Sequence, residues 1–90
     1  MGAPVVATAQ GVVTLAGRLG SYGLTVVVDH GYGLRTLYAH LSRIRVRPGQ
    51  WVARGEVLGM VGSTGLSTGP HVHYEVHREG RPVDPLPFLP

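Results

Sequence analysis

Hydrophobic residues along the chain are grouped into short runs that glycine, proline or serine residues interrupt. β-Branched and aromatic residues dominate the runs, and no hydrophobic period of a long helix persists between the interruptions. Runs of this kind, bounded by turn-forming residues, are typical of β-strands. We therefore predict an all-β domain, a compact sandwich or barrel of short strands, with helix limited to a turn or two. The predicted strands are VVTLAG at 12–17, LTVVVDH at 24–30, LRTLYAH at 34–40, VLGMVG at 57–62 and HVHYEVH at 71–77.

Three further segments have the character of turns or of a tail. HGYG at 30–33 separates two predicted strands and predicts a hairpin. RPGQ at 47–50 predicts a tight turn with a positive φ at Gly49. RPVDPLPFLP at 81–90 contains four prolines, so it cannot be a central strand, and we expect an extended tail on the surface. The residues expected to pack this tail are Leu86, Phe88 and Leu89.

Length and composition limit the class of protein. Ninety residues accommodate one small domain, here residues 1–90. A hydrophobic content of 43% with 14% charged residues excludes a disordered chain. There is no cysteine, which excludes a disulfide framework and a thiolate metal site. No apolar run approaches the ~20 residues of a membrane span, and no signal peptide is visible, so an export signal would lie outside these residues.

The charge of the chain is basic but carries no nucleic-acid signature. The net charge of +3 comes from eight arginines and five acidic residues, without any lysine. The alternating Arg43, Arg45 and Arg47 indicate a solvated strand edge, with weak attraction to an anionic polymer such as cell-wall material as the alternative. Aromatic residues are not interleaved with these arginines as stacking platforms would be, so we expect no nucleic-acid partner. The absence of lysine excludes a biotinyl or lipoyl carrier, which needs an acceptor lysine.

Histidine is concentrated in the last predicted strand. Alternation along a strand places His71 and His73 on one face, with side chains that start ~7 Å apart. Two imidazoles at this separation can reach one metal ion, or one ion and its bound water. The alternative interpretation is an H-x-H pair that occurs by chance on a surface strand. Glu75 and His77 share that face. The opposite face is apolar and predicted to lie against the core; its residues are Val72, Tyr74 and Val76.

The remaining histidines and the glycine-rich segment leave alternatives open. His40 ends a predicted strand, where a polar residue lines a cleft or is a strand-end histidine with satisfied hydrogen bonds. His30, beside Asp29 at a turn, is assigned to local hydrogen bonding, and His77 is expected to be exposed. GSTGLSTGP at 62–70 either brings backbone N–H groups close to a ligand or forms a plain loop.

Several segments taken together resemble one family. YAHL at 38–41, VRPGQWVARG at 46–55 and STGLSTGPHVH at 63–73 occur in the order and at the spacing of the lysostaphin-type (LytM) zinc metallopeptidase domain, which cleaves peptide cross-bridges in bacterial peptidoglycan. The resemblance extends from GAPV at 2–5 to VDPLPFL at 83–89. It implies a small antiparallel β structure with a groove, related to barrel-sandwich hybrid folds. It also implies peptidoglycan peptides as the partner and a location in the bacterial cell envelope or outside the cell.

The resemblance implies a role for each of three histidines. His73 matches the zinc ligand, and His40 and His71 match the two histidines that act on the attacking water and the transition state. Zinc lowers the pKa of a bound water to about 7, which supplies hydroxide at neutral pH. Histidines that do not bind the metal can then orient this water, accept its proton or stabilise the oxyanion.

One part of the family pattern has no counterpart in these residues. The family takes its other two zinc ligands from an H-x-x-x-D motif several residues before the G-x-P-V segment, and here GAPV follows only Met1. Because catalytic zinc sites use three protein ligands, we expect weak or absent Zn²⁺ binding and little or no peptidase activity from the ninety residues. Three explanations of the missing zinc ligands are open: a truncated active domain, a degenerate module that binds peptidoglycan or regulates amidases, or ligands donated by a second chain or segment.

We also expect an exposed strand edge near Gly2 to favour a homo-oligomer.

Overall fold

The computed structural model describes residues 2–65, 69 and 72–84, which form eight β-strands and one short 3-10 helix. The strands are β1 (Pro4–Val6), β2 (Gly11–Arg18), β3 (Leu24–Gly31), β4 (Leu34–Ile44), β5 (Trp51–Val52), β6 (Val57–Val61), β7 (His73–Arg78) and β8 (Arg81–Val83). The 3-10 helix, Gly20–Tyr22, connects β2 to β3. No helix in this described part of the chain is long and apolar enough to cross a membrane.

The strands form one antiparallel sheet that branches at β4. The main path of neighbours is β1-β6-β4-β3-β2-β5, and β7 pairs with β4 outside this path and carries β8 on its other side. Along the edge opposite β3, residues 34–39 of β4 pair with β7, whereas residues 41–44 pair with β6. The prediction of an all-β, antiparallel fold is therefore confirmed.

The five predicted strands are present, and the differences concern length. β4 continues four residues beyond the predicted end at His40, to Ile44. Three strands of two or three residues, β1, β5 and β8, were not predicted because so few residues cannot display an alternating pattern. The proline-rich segment supplies β8, an edge strand that tolerates Pro82. The rest of the expected tail, with Leu86, Phe88 and Leu89, lies outside the described residues.

The core lies on one face of the sheet and is built from alternating residues of the longest strands. Val26 and Val28 of β3, Tyr38 of β4 and Val76 of β7 are at most 2% exposed. Tyr38 pairs with Val26 on one side and with Tyr74 on the other, so the face that these residues share is continuous across three strands. The other large apolar side chains that are fully buried are Val13, Leu41, Val52 and Leu58.

Two turns have the predicted geometry. Tyr32 and Gly33 both have positive φ, 54° and 74°, as a two-residue hairpin turn between β3 and β4 requires. Asp29 supports this turn by accepting a hydrogen bond from the Gly31 N–H at 2.8 Å. At 47–50 the Gln50 N–H donates to the Arg47 carbonyl at 3.1 Å, and Gly49 has the expected positive φ of 89°.

A chain of hydrogen-bonded side chains crosses the core face of the sheet. His30 Nε2 lies 2.7 Å from Thr36 Oγ1, and the Thr36 hydroxyl donates to the Tyr38 hydroxyl at 2.9 Å. Thr8 continues the chain, because its Oγ1 lies 3.1 Å from the Tyr38 hydroxyl and 3.0 Å from the Tyr74 hydroxyl. The assignment of His30 to local hydrogen bonding is only partly correct, because its Nδ1 atom also lies 2.7 Å from the carbonyl oxygen of Gln10, 20 positions away in the chain. The network satisfies polar groups that the apolar core would otherwise leave without partners.

The central position of Tyr38 in this network leads to a stability prediction. Tyr38→Phe removes the hydroxyl that accepts from Thr36 and from the Thr8 backbone N–H, so we expect a loss of about 1–3 kcal/mol in the free energy of unfolding. Urea unfolding followed by tryptophan fluorescence measures this change. Tyr32→Phe is the matched control, since Tyr32 is fully exposed and should change stability by less than about 0.5 kcal/mol. Equal effects of the two substitutions would contradict the role of the network.

Candidate active site

His40 lies at an irregularity in the middle of β4. Leu41 pairs with Leu24 of β3, and Tyr38 pairs with Val26, so β4 has one residue more than β3 over this interval. This is a β-bulge, and His40 adopts the left-handed conformation with φ of 60°. The side chain is 7% exposed. The predicted end of a strand at His40 is thus wrong: the strand continues, and the bulge reorients the histidine.

One backbone carbonyl anchors the His40 ring. His40 Nδ1 lies 2.6 Å from the Thr64 carbonyl oxygen, and because a carbonyl only accepts, Nδ1 carries the proton. The Thr64 hydroxyl donates to the Leu41 carbonyl at 2.6 Å and accepts from the Leu24 N–H at 3.0 Å. The described part of the predicted glycine-rich loop therefore contacts His40 through a carbonyl group and links β3 to β4.

Two glycines allow this loop to approach the site. Gly23 and Gly65 have positive φ of 71° and 74°, and each lies against backbone of the other's segment. A Cβ atom at Gly23 would collide with the Thr64 backbone, and one at Gly65 would collide with the Ser21 carbonyl. Glycine at both positions is therefore needed for Thr64 to reach His40.

His73 is the second predicted site residue that the sheet places here. It is the first residue of β7 and pairs with Ala39, next to His40. The His40 and His73 ring centroids are 6.1 Å apart, with an interplanar angle of 65°. The Tyr22 ring lies on another side of His73, with a centroid distance of 5.9 Å. Two of the three predicted histidines thus lie together, whereas His71 lies outside the described residues.

The two faces of β7 are only partly as predicted. Val76 is fully buried and Tyr74 packs against the core, but Val72 is 37% exposed. Val72 precedes the strand and lines an open, largely apolar groove of about 250 Å³ with Val6, Val61 and Tyr74. The expectation that Val72 belongs to the core is therefore wrong, because the sheet leaves this end of the face uncovered.

Glu75 connects the residues of the opposite face of β7. One carboxylate oxygen lies 2.6 Å from His73 Nε2 and accepts a hydrogen bond from the Tyr22 hydroxyl at 2.9 Å. The other oxygen lies 2.7 Å from His77 Nε2. His77 is thus half-buried and hydrogen-bonded, whereas we expected an exposed side chain. Sequence reasoning missed the role of Glu75, although its place between His73 and His77 on one strand face was the available signal.

The hydrogen bonds and the environment shift two pKa values in opposite directions. Partial burial acts to raise the pKa of Glu75, but the hydrogen bonds with His77, His73 and Tyr22 outweigh it and hold that pKa below its ordinary value. The hydrogen bond to the Glu75 carboxylate, assisted by desolvation and by the negative charge, raises the pKa of the Tyr22 hydroxyl. The carboxylate is therefore ionised and the phenol protonated at neutral pH.

The described residues do not by themselves make a zinc site. Within residues 2–65, 69 and 72–84 no group of three or more His, Cys, Asp or Glu side chains is arranged to hold a metal ion. A catalytic zinc centre uses three protein ligands. His73 is the single described residue that the family resemblance assigns to zinc.

Comparison with known proteins agrees with the family resemblance found in the sequence. The pattern of Peptidase family M23 matches residues 1–85. DD-carboxypeptidase/endopeptidase Mpg of Neisseria meningitidis is 54% identical over 85 residues, which are 94% of this chain and 20% of that protein. Murein hydrolase activator EnvC of Escherichia coli is 41% identical over 88 residues, 98% of this chain and 21% of that protein. The chain thus spans about a fifth of the length of these curated relatives.

Solved structures share the fold. The catalytic domain of the peptidase lysostaphin from Staphylococcus simulans superposes with a TM-score of 0.91 and 34% identity, covering 98% of this chain and 71% of that domain. A zinc-containing peptidase from Vibrio cholerae superposes with a TM-score of 0.88 and 42% identity, covering 92% of this chain and 26% of that protein.

The close approach of Gly23 to Thr64 can be tested directly. Gly23→Ala introduces a Cβ that collides with the Thr64 backbone at a positive φ, so we expect a loss of more than about 1 kcal/mol in unfolding free energy. The His40 Nδ1 proton, which the Thr64 carbonyl holds, should also exchange faster with water in NMR spectra. Gly17→Ala is the control, because nothing lies within 4 Å of its Cβ position. Tolerance of Gly23→Ala equal to that of Gly17→Ala would refute the need for glycine here.

Proposed function

The chain belongs to peptidase family M23, and we propose on this basis that it contributes to a zinc metalloendopeptidase domain that hydrolyses peptide cross-bridges of bacterial peptidoglycan. The observation that carries the proposal is the pairing of His40 and His73, whose rings lie 6.1 Å apart where the first residue of β7 lies beside the middle of β4. A peptidoglycan DD-endopeptidase of Vibrio cholerae, ShyA, is 44% identical over 86 residues, 96% of this chain and 20% of that protein. Its named activity supports the proposed class of substrate and a location in the cell envelope or outside the cell.

In this proposal each of the three histidines has a separate task. His73 is the zinc ligand that these residues contribute, and His40 and His71 act on the water and on the charge that develops at the peptide carbonyl. The hydrogen bond from His40 Nδ1 to the Thr64 carbonyl supports a basic role for His40, because the neutral ring then accepts a proton at Nε2. The buried position of His40 reduces solvation of that ring and limits its orientations.

The first test concerns the metal. Because the described residues lack a set of three ligands, we expect Zn²⁺ to bind the ninety-residue chain with a dissociation constant weaker than about 1 μM, which corresponds to about −8 kcal/mol. Isothermal titration calorimetry measures this affinity. Tight one-to-one binding that His73→Ala abolishes would show that the ninety residues complete a site, against our expectation.

The second test concerns the reaction. In the full-length protein, His40→Ala and His73→Ala should each lower the rate of peptide release from purified peptidoglycan by at least about 100-fold, since each removes a group that acts on the reacting atoms. Chromatography of the released peptides measures this rate. Arg45→Ala, an exposed residue, is the control and should retain activity. Full activity of either histidine variant would contradict the assigned roles.

A second candidate function is a non-catalytic module that binds peptidoglycan or regulates amidases. The similarity to murein hydrolase activator EnvC favours this candidate, because a regulatory relative shares almost the whole chain. Sedimentation with purified cell wall separates the two functions. Binding that persists with a chelator, and in a variant without His40, His71 and His73, would favour the module, whereas binding that both treatments abolish would favour the peptidase.

A further inference from the structure

Glu75 holds a central position among the polar side chains of the site face. Its Oε2 atom contacts His73 Nε2 at 2.6 Å and the Tyr22 hydroxyl at 2.9 Å, and its Oε1 atom contacts His77 Nε2 at 2.7 Å. The carboxylate is 21% exposed, less than either imidazole. Three donors from two segments of the chain therefore converge on one acceptor that water reaches only in part.

The strand geometry explains why a single carboxylate can reach both imidazoles. Residues 73, 75 and 77 project from the same face of β7, and Glu75 lies between the two histidines at a spacing of ~7 Å along the strand on either side. On the neighbouring strand β4, the residues opposite His73 and Glu75 are Ala39 and Leu37, which are almost completely buried. These apolar neighbours offer the carboxylate no competing hydrogen bond.

An ionised carboxylate decides which ring nitrogen carries the proton. It only accepts hydrogen bonds, so the nitrogen that faces it must be the N–H. His73 Nε2 is therefore protonated, and in the neutral ring Nδ1 holds the lone pair. The same reasoning gives the Nε2–H form for His77. The tautomer of both rings thus follows from contacts with one side chain.

Tyr22 restricts the ring of His73 from a second direction. The 3-10 helix Gly20–Tyr22 places the phenol ring 5.9 Å from the imidazole, with 32° between the ring planes. Its hydroxyl donates to the same carboxylate oxygen that His73 contacts. Rotation of the imidazole would therefore break a hydrogen bond and disturb a ring contact together.

We propose that Glu75 is a positioning residue that fixes the orientation of His73 and its Nε2–H tautomer, with His77 and Tyr22 as the groups that keep the carboxylate in place. The importance of this role for catalysis rests on the proposed function, in which His73 acts as a ligand. Histidines that bind metals characteristically donate their other ring N–H to a carboxylate or carbonyl. Glu75 provides this contact within the strand that carries His73, and it leaves Nδ1 as the ligating atom.

The test observes the rings themselves, in the ninety-residue chain without metal or substrate. Long-range ¹H–¹⁵N NMR spectra at a pH where the imidazoles are neutral should show the Nε2–H tautomer for His73 and His77, with Nε2 protons that exchange slowly. In Glu75→Ala we expect both protons to exchange with water at least about tenfold faster and the contacts between the Tyr22 and His73 rings to weaken. An Nδ1–H tautomer of His73 in the unmodified protein would overturn the proposal.

Two further variants separate positioning from folding. Glu75→Gln preserves shape but provides a single acceptor oxygen, so at most one of the two Nε2 protons should remain slow. Glu79→Gln removes a charge from the adjacent turn and should leave both rings unchanged. Amide spectra establish that each variant is folded. Unchanged exchange of both imidazole protons in folded Glu75→Ala and Glu75→Gln would refute the role of Glu75, whereas full peptidoglycan-cleaving activity of the His40→Ala or His73→Ala variant would contradict only the proposed function.

Discussion

Strand β4 is the element on which the rest of the structure depends, because it must pair with β3 along one edge and with two different strands along the other. Its first six residues pair with β7 and its last residues with β6. The change of partner coincides with the bulge at His40, and a β-bulge bends the strand that contains it. The same irregularity turns the His40 side chain towards the first residue of β7. The site and the branch of the sheet thus have one physical origin.

The bulge is stable because neighbouring segments provide hydrogen bonds for it. Thr64 contacts the His40 ring, the Leu41 carbonyl and the Leu24 N–H. This arrangement requires two segments to approach more closely than any side chain would allow, and Gly23 and Gly65 make that approach possible. A left-handed conformation at a non-glycine residue is costly, and here it persists because surrounding contacts determine it. Strain of this type is characteristic of functional positions.

The two faces of the sheet carry different kinds of side chain. On one face the hydroxyls of the buried residues Thr36 and Tyr38 are hydrogen-bonded to each other, and the Thr36 hydroxyl also contacts His30 of β3. On the other, His73, Glu75 and His77 form a hydrogen-bonded row beside Tyr22. Because adjacent residues of β7 face opposite sides, a single six-residue strand contributes to both. The chain with this arrangement belongs to peptidase family M23.

The sequence by itself determined the five longer strands, the turns at 30–33 and 47–50, and the candidate histidines. These features depend on local patterns, namely alternation with a period of two and glycine where φ is positive. The family resemblance added roles for His40, His71 and His73 that periodicity alone did not supply. The strands of two or three residues, such as β1, could not be predicted, since they are defined only by their pairing partners.

Only the tertiary structure decided how these residues meet. The contact between His40 and His73 spans 33 positions of the chain (73 − 40), and the hydrogen bond of Tyr22 to Glu75 spans 53. The bulge at His40 and the exposure of Val72 follow from which strands lie beside them, and no local pattern records that. Hydrophobic alternation specifies a face of a strand but not the neighbouring segments, so the surroundings of the Glu75 carboxylate are decided only when the 3-10 helix Gly20–Tyr22, β4 and β7 come together.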